Sequence, residues 1–461
     1  MQKSPWQLQT LDLSENKFTK EMLTTLASSF RQFPIGLTNL HLARCGIPSN
    51  LFTLLFSTFK EPSWISTLRV LDISFNTLDN EGTVSLVDWI SSVSALQRLA
   101  IAGTNLDTTK FFRALRNNSA LYASSLTELD ISYSTLKEDA CMNFSEILVD
   151  SKTLCTLVLR GITVPKQGFQ TILSPWFTNA RLHDMTLSAD LSENDFSGLK
   201  GKALAELFKL APALNALRLN RCGLRDDTLA VLVTALGCCK SIQALHIENN
   251  GGKTSTINSI FSAAPSLEDK PGDAFLKLLT TNKNLKEMYL SSHNGGHRYS
   301  MNILRPILHS IGISFLEVLD ISGNRGGDDV AKSLALALPK TTQLRALFWD
   351  ENHTSLAGFE LFQEGLRQNT SVVVMPVPIQ DTRRLLDGRD PPREELFALL
   401  GAYYAFIQRN QTMMSVSVME SVIIREYDES DTWRNSMLRS TTKDLRQSWS
   451  AAVQTLVNKT E

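Results

Sequence analysis

Apolar residues recur along this chain in the phrase LxxLxLxxN, first as Leu8-Leu11-Leu13-Asn16. Clear copies follow at Leu68-Leu71-Ile73-Asn76, Ile242-Leu245-Ile247-Asn250, Leu316-Leu319-Ile321-Asn324 and Leu344-Leu347-Trp349-Asn352. Weaker copies start at Leu37, Leu96, Leu126, Leu154, Leu182, Leu214, Leu285 and Val372. Successive starts lie 28 to 32 residues apart, apart from one interval of 43 between Ile242 and Leu285. A period of this length, held over most of the chain, marks a leucine-rich-repeat solenoid.

The phrase has a physical cause. Its first apolar residue leads into a short strand, and the next two alternate inward with period two. The ninth position turns the chain, and a buried asparagine there can bond the backbone of neighbouring turns. Cys45, Thr104, Ser134, Asp190, Cys222 and His293 stand in the same slot, all small or hydrogen-bonding; Ile162 is the exception. Helix-period segments separate the phrases, for example Thr228–Cys239, Asp328–Leu338 and Phe359–Gln368. Asp328 and Asp329 are placed as an N-cap and a first-turn acid. Strand, turn, helix, turn is therefore the repeating unit.

The expected fold class is α/β: a ribonuclease-inhibitor-type horseshoe of about thirteen repeats over residues 1–378, with a parallel sheet inside and helices outside. Gly251–Gly272, within the long interval, is expected to be a loop on one rim. Pro376, Pro378, Pro391 and Pro392 punctuate the end of the pattern, and residues 379–461 are expected to be a helical capping or dimerisation region. Leu396, Leu399, Leu400, Tyr403 and Ile407 share one apolar face there, and Trp433, Met437, Leu445, Trp449, Val453 and Leu456 a later one. Leu396, Leu400, Tyr403, Ile407, Trp433 and Trp449 are the candidates for pairing with a second chain.

The 461 residues carry 46 Lys+Arg against 47 Asp+Glu, a net charge of −1, which argues against a nucleic-acid protein built on one basic face. No apolar run has the length of a signal peptide or a transmembrane helix. The six cysteines show no CxxC spacing, so neither a zinc site nor a disulfide framework is indicated. A cytoplasmic chain with reduced thiols is expected.

Catalytic and cofactor motifs fail on inspection. Gly251-Gly252-Lys253-Thr254 resembles the end of a phosphate loop, but the glycine needed five residues before Gly252 is Ile247. His293 and His297 are close in sequence but lack a third ligand at metal spacing. Neither a nucleophile elbow nor a Cys/His pair in a recognisable setting is present. The expectation is a non-enzymatic chain with no cofactor and no metal. Of the N-x-S/T triplets at Asn117, Asn143 and Asn352, the last falls in the buried turn slot, where no glycan fits.

Residues between the second and third apolar positions point to the concave side. They run Asp12, His41, Asp72, Ala100, Asp130, Val158, Thr186, Arg218, His246, Tyr289, Asp320 and Phe348. Two residues on come Ser14, Ala43, Ser74, Ala102, Ser132, Arg160, Ser188, Asn220, Glu248, Ser291, Ser322 and Asp350. A spaced acidic row thus occupies the first half, with Arg160, Arg218 and His246 midway. The candidate partner-binding residues are Asp12, Asp72, Asp130, Arg160, Arg218, His246, Tyr289, Asp320, Phe348 and Asp350. A protein ligand with a basic or mixed patch would complement them.

Met375-Pro376-Val377-Pro378, then Asp381, then a helical run opening Arg393-Glu394-Glu395-Leu396, resemble the exit from the repeats in the CARMIL family (capping protein, Arp complex and myosin-I linker). The LDLS/LDIS phrases at Leu11, Leu71, Leu129 and Leu319 fit as well. The resemblance implies a scaffold that regulates actin filament assembly and barbed-end capping, located in the cytoplasm and at the cell cortex. It also implies a lipid-binding domain before the repeats and a capping-protein-binding tail after them. Met1 stands seven residues before the first phrase, so the expectation is a chain truncated upstream, with membrane contact only through a domain it does not contain. Two rivals use similar repeats. A GTPase-activating protein of the Ran regulator type ends in a strongly acidic tail, whereas residues 379–461 here hold 11 Lys+Arg and 12 Asp+Glu. The sensor half of a cytosolic immune receptor needs an upstream nucleotide-binding domain.

Overall fold

The computed structural model describes residues 8–32, 36–252, 270–293, 295–388 and 391–414. They fall into two compact units, one holding residues up to Asp195 with Ala203–Leu219 and Cys238–Ser241, the other the remainder. Each is built as the period requires, from short parallel strands and antiparallel-running helices of the leucine-rich-repeat fold. Residues 379–388 and 391–414 fall in the second unit.

In the first unit the strands are β1 (Thr10–Asp12), β2 (Asn39–His41), β3 (Val70–Asp72), β4 (Arg98–Ala100), β5 (Glu128–Asp130), β6 (Thr156–Val158), β7 (Leu187–Asp190) and β8 (Leu214–Arg218). Each pairs in parallel with the next, so Leu40, Leu71, Leu99, Leu129 and Leu157 form one buried row, which the half-buried Leu11 extends. Helices Lys20–Arg31, Asn80–Ile90, Thr108–Asn117, Glu138–Asp150 and Gly168–Phe177 carry the other apolar stripe. Their starts are set by local caps. Thr19, Asp79 and Asp107 each accept a hydrogen bond from a first-turn amide. Phe56, Phe59, Trp64 and Trp89 fill the space between helices and sheet with ring centroids 5.1 to 6.1 Å apart.

The second unit holds β9 (Ala244–His246), β10 (Glu287–Tyr289), β11 (Val318–Asp320) and β12 (Ala346–Phe348), again parallel and in order. Helices Asp226–Leu236, Asp328–Ala337 and Leu356–Gln368 occupy the predicted segments. Asp328, however, does not cap its own helix. Gly327 is the N-cap, with a φ of 63°, and the Asp328 carboxylate accepts from the amide and hydroxyl of Ser355, the N-cap of the next helix. Of the long interval, residues 253–269 lie outside the described residues, and Pro271 already opens a helix that runs to Thr281.

The turn slot stitches one repeat to the previous one. Asn76 Nδ2 donates to the carbonyls of Ile73 and, one repeat back, Leu42, while its Oδ1 accepts from the amides of Cys45 and Ile47 at 3.1 Å. Asn194, Asn324 and Asn352 make the same backward bond to Leu159, Leu290 and Ile321. Cys45 does so with its thiol, to the Leu13 carbonyl. Where the slot holds His293, the Tyr299 hydroxyl reaches the Ile247 carbonyl instead, at 2.5 Å. Ile162 also finds its account: a direct backbone bridge between Thr135 and Thr163 replaces the side-chain bond there.

One repeat was read out of register. Strand β7 pairs Ala189 with Leu157 and Leu217. Asn194, not Asp190, therefore fills the slot, and Asp190 takes the open-face position assigned to Thr186. A small residue at the second apolar position and a bulge at Leu187 hide this from the pattern.

The end of the repeats is closed by two further helices, Ile379–Leu386 and Arg393–Met413. Leu396, Leu400, Tyr403 and Ile407 are buried, and the helix that carries them packs on the helix Leu356–Gln368. Tyr403 packs edge-on to Phe362 at 5.2 Å, and its hydroxyl donates to the Phe359 carbonyl. Asn410 and Gln411 donate to the open carbonyls of Val372 and Val373. An exposed end strand is thereby satisfied from within the chain. Trp433 and Trp449 lie outside the described residues.

Asn76→Ala removes the side-chain partner of two buried carbonyls and two amides, and is expected to lower stability by about 3 kcal/mol. The same change at Asn16, which is exposed, should cost under about 1 kcal/mol. Urea midpoints of the two variants measure the difference.

Candidate protein-binding face

The strand face turned away from the helices carries the predicted positions, and the motif LD[LI]S explains how they are held. Each aspartate accepts a hydrogen bond at Oδ1 from the amide two residues on: Asp12 from Ser14, Asp72 from Ser74, Asp130 from Ser132, Asp190 from Ser192 and Asp320 from Ser322, all at 2.9 to 3.0 Å. The serine then reaches across. Ser74 and Ser132 hydroxyls accept from the amides of Ala102 and Arg160 in the following repeat. The acidic row is thus partly a structural device that turns the chain out of each strand.

Within the first unit, charges on this face pair between neighbouring strands. Arg98 bonds Glu128 at 2.9 Å, and Arg160 bonds Asp190 at 2.6 Å. Asp190 is the residue that pattern reading placed elsewhere, and it holds the predicted contact Arg160 in position. A signal was present: Asp190-Leu191-Ser192-Glu193-Asn194 repeats Asp12-Leu13-Ser14-Glu15-Asn16 letter for letter. Asp130 lies between these pairs and Asp72. Burial raises its pKa to about 6, against the pull of its bonds from Ser132 and the charge of Arg160. Arg218 ends β8 on the same face.

The second unit presents a different surface. His246 stacks on Tyr289 with centroids 4.2 Å apart and planes 9° from parallel. Tyr289 is itself buried in a cluster with Val318, Ala346, Val373 and Val374, against which Phe348 and Met414 pack. Asp320 is buried beside its serine. Asp350 is committed to the closing helix, accepting from the amides of Glu351, Gln380 and Asp381, with burial raising its pKa. Asp381, buried in turn, accepts from the amides of Asn352 and His353. These placements make Tyr289, Phe348 and Asp350 parts of the core and cap as much as of any contact surface.

Residues 7–32 match the family model described as Leucine Rich Repeat. The chain is 27% identical over 383 residues to "Capping protein, Arp2/3 and myosin-I linker protein 3" of Rattus norvegicus, covering 81% of this chain and 26% of that protein. It is 26% identical over 408 residues to "Protein CARMIL" of Dictyostelium discoideum, covering 88% of this chain and 37% of that one. The repeat region is thus similar to those of CARMIL proteins. The same stretch is 23% identical over 383 residues to "Rho GTPase-activating protein gacW" of Dictyostelium discoideum, covering 82% of this chain and 30% of that protein.

The chain spans about a quarter to just over a third of the length of those relatives. Among the described residues, no helix is long and apolar enough to cross a membrane, and no group of three His, Cys, Asp or Glu side chains could hold a metal ion. His293 Nδ1 faces Glu351 at 3.3 Å.

The Asp130 carboxyl ionises at a higher pH in the folded chain than in the unfolded one. The folded state holds the extra proton between about pH 4 and pH 6, so stability falls as pH rises through that window. Asp130→Asn is expected to flatten this part of the stability–pH curve, measured by chemical denaturation at half-unit steps.

Proposed function

We propose that this chain is a non-enzymatic scaffold that binds proteins of the actin-regulatory machinery through the open face of its repeats, in the manner of the CARMIL family. The observation that carries this reading is the face itself. Short parallel strands, five of them ending in an Asp-x-Ser turn, present side chains in fixed registers with little conformational freedom left to lose on binding. The names of the relatives supply the partner class: capping protein, the Arp2/3 complex and myosin-I. A cytoplasmic site of action close to the cortex follows from the same reading, with barbed-end capping as the process regulated.

Purified capping protein, Arp2/3 complex and a myosin-I are each to be titrated against the immobilised chain. Binding of at least one is expected, weakened about tenfold by Arg160→Ala, which leaves Asp190 buried without its cation. If none binds below about 100 μM, a range where even weak specific contacts register, the proposal fails.

The likeness to a Rho GTPase-activating protein favours a second reading. A single-turnover hydrolysis assay on a GTP-loaded Rho-type GTPase separates the two: the scaffold reading expects the intrinsic rate, and an acceleration would favour the rival. Leu396, Leu400, Tyr403 and Ile407 are buried within this chain. Light scattering at high protein concentration reads the mass directly, twice the monomer being the outcome expected of a family dimer.

A further inference from the structure

In almost every repeat the residue just before the turn slot has a left-handed backbone, which bulky side chains rarely adopt. In the first unit the row includes Arg44, Phe75, Gly103, Tyr133, Gly161 and Glu193. Phe75 and Tyr133 are 37% and 41% exposed, with ring centroids 5.7 Å apart. The glycines between them make this possible. A Cβ on Gly103 would come within 2.7 Å of Phe75 Cδ1, and one on Gly161 within 2.9 Å of Tyr133 Cδ1. Each ring lies over the glycine of the following repeat, and neither is taken into the core. Large aromatics held in the open on a conformation that disfavours them are a pointer to binding.

The chemistry around the rings says what would bind. The Arg44 guanidinium stands 4.0 Å from the Phe75 centroid, so the chain itself shows a cation seated on this row. The Tyr133 hydroxyl donates to Glu193 at 3.0 Å, and the ring also feels the charges of Arg160 and Asp130. On the adjoining strand face, Asp12, Asp72 and Asp130 stand on alternate strands, whereas Glu128 and Asp190 already hold arginines. Aromatic faces beside carboxylates favour guanidinium and ammonium groups.

We infer that the Phe75–Tyr133 row, with Asp72 and Asp130 of the same repeats, is the docking strip for an extended basic segment of a protein partner. Its arginines or lysines lie on the rings and against the carboxylates. The proposal rests on the scaffold reading above and adds the chemistry of the partner. Strands about 4.8 Å apart put alternate aspartates roughly 10 Å from one another, the distance an extended peptide covers in about three residues. A basic residue at every third position therefore matches the strip.

The test is fluorescence anisotropy of the full chain with a labelled decapeptide carrying arginine at every third position, separated by Gly-Ser. Saturable binding is expected at low salt, weakening as salt is added. Tyr133→Leu and Asp72→Asn should each weaken it about fivefold, and Glu146→Gln, on a helix away from the strip, by less than about twofold. Tyr133→Leu keeps an apolar group without the ring's charge distribution, and circular dichroism confirms that each variant is folded. Equal affinity for the citrulline version of the peptide, or for one with glutamate in place of arginine, would overturn the proposal. So would binding that is indifferent to both strip variants. Whole partners binding where the peptide does not would sink this strip alone; the peptide binding where capping protein, Arp2/3 complex and myosin-I do not would sink only the actin-regulatory reading.

Discussion

Among the described residues the fold rests on backward hydrogen bonds from the turn slot to the repeat before, as Asn76, Asn194, Asn324, Asn352 and Cys45 make them. A strand of three residues cannot satisfy the backbone that turns out of it, and burying those amides and carbonyls unpaired would cost more than the apolar rows return. The slot side chain solves this by bonding its own turn and the turn before it, as Asn76 does to Ile73 and Leu42. Stacking is thereby made compulsory, because a repeat alone leaves half of those bonds unmade. The substitutions obey the same constraint. Cys45 uses its thiol, Tyr299 stands in for His293, and a backbone bridge serves Ile162.

The Asp-x-Ser phrase extends the economy to the open face. The aspartate turns the chain with one oxygen, the serine joins the next repeat, and the carboxylates are left in a spaced row as a by-product. An acidic stripe on such a face is therefore weak evidence of function when taken alone. Departures from the phrase are more informative. Arg160 and Asp190 form a pair across strands, and Phe75 and Tyr133 occupy a backbone position that most repeats fill with a charged residue, asparagine or glycine.

Much of this was legible from the residues. Period, strand positions, helical segments and the start of a different pattern near Pro376 all follow from apolar spacing. The repeat at Leu182 shows the limit: Ala189 stands in a leucine position, so the apolar pattern falls four residues early and places Asp190 in the turn slot, whereas the sheet puts it on the open face. Tyr289, Phe348 and Asp350 show another limit. Their positions in the phrase were read correctly, yet their neighbours come from β11, β12 and the closing helices, and those neighbours turn them into core and cap residues.

The sequence by itself determined the repeat, because a 28-residue period of apolar and hydrogen-bonding positions admits few other ways to bury both. It also determined that a separate helical pattern follows. Only the tertiary structure decided what that pattern is for among the described residues. Leu396 and Tyr403 have the same apolar character whatever they meet, and only the fold shows them buried on a helix whose Asn410 and Gln411 donate to the carbonyls of Val372 and Val373. Tertiary structure likewise decided that Gly103 and Gly161 are seats for aromatic rings, since the contact joins residues about 28 apart that no local rule relates.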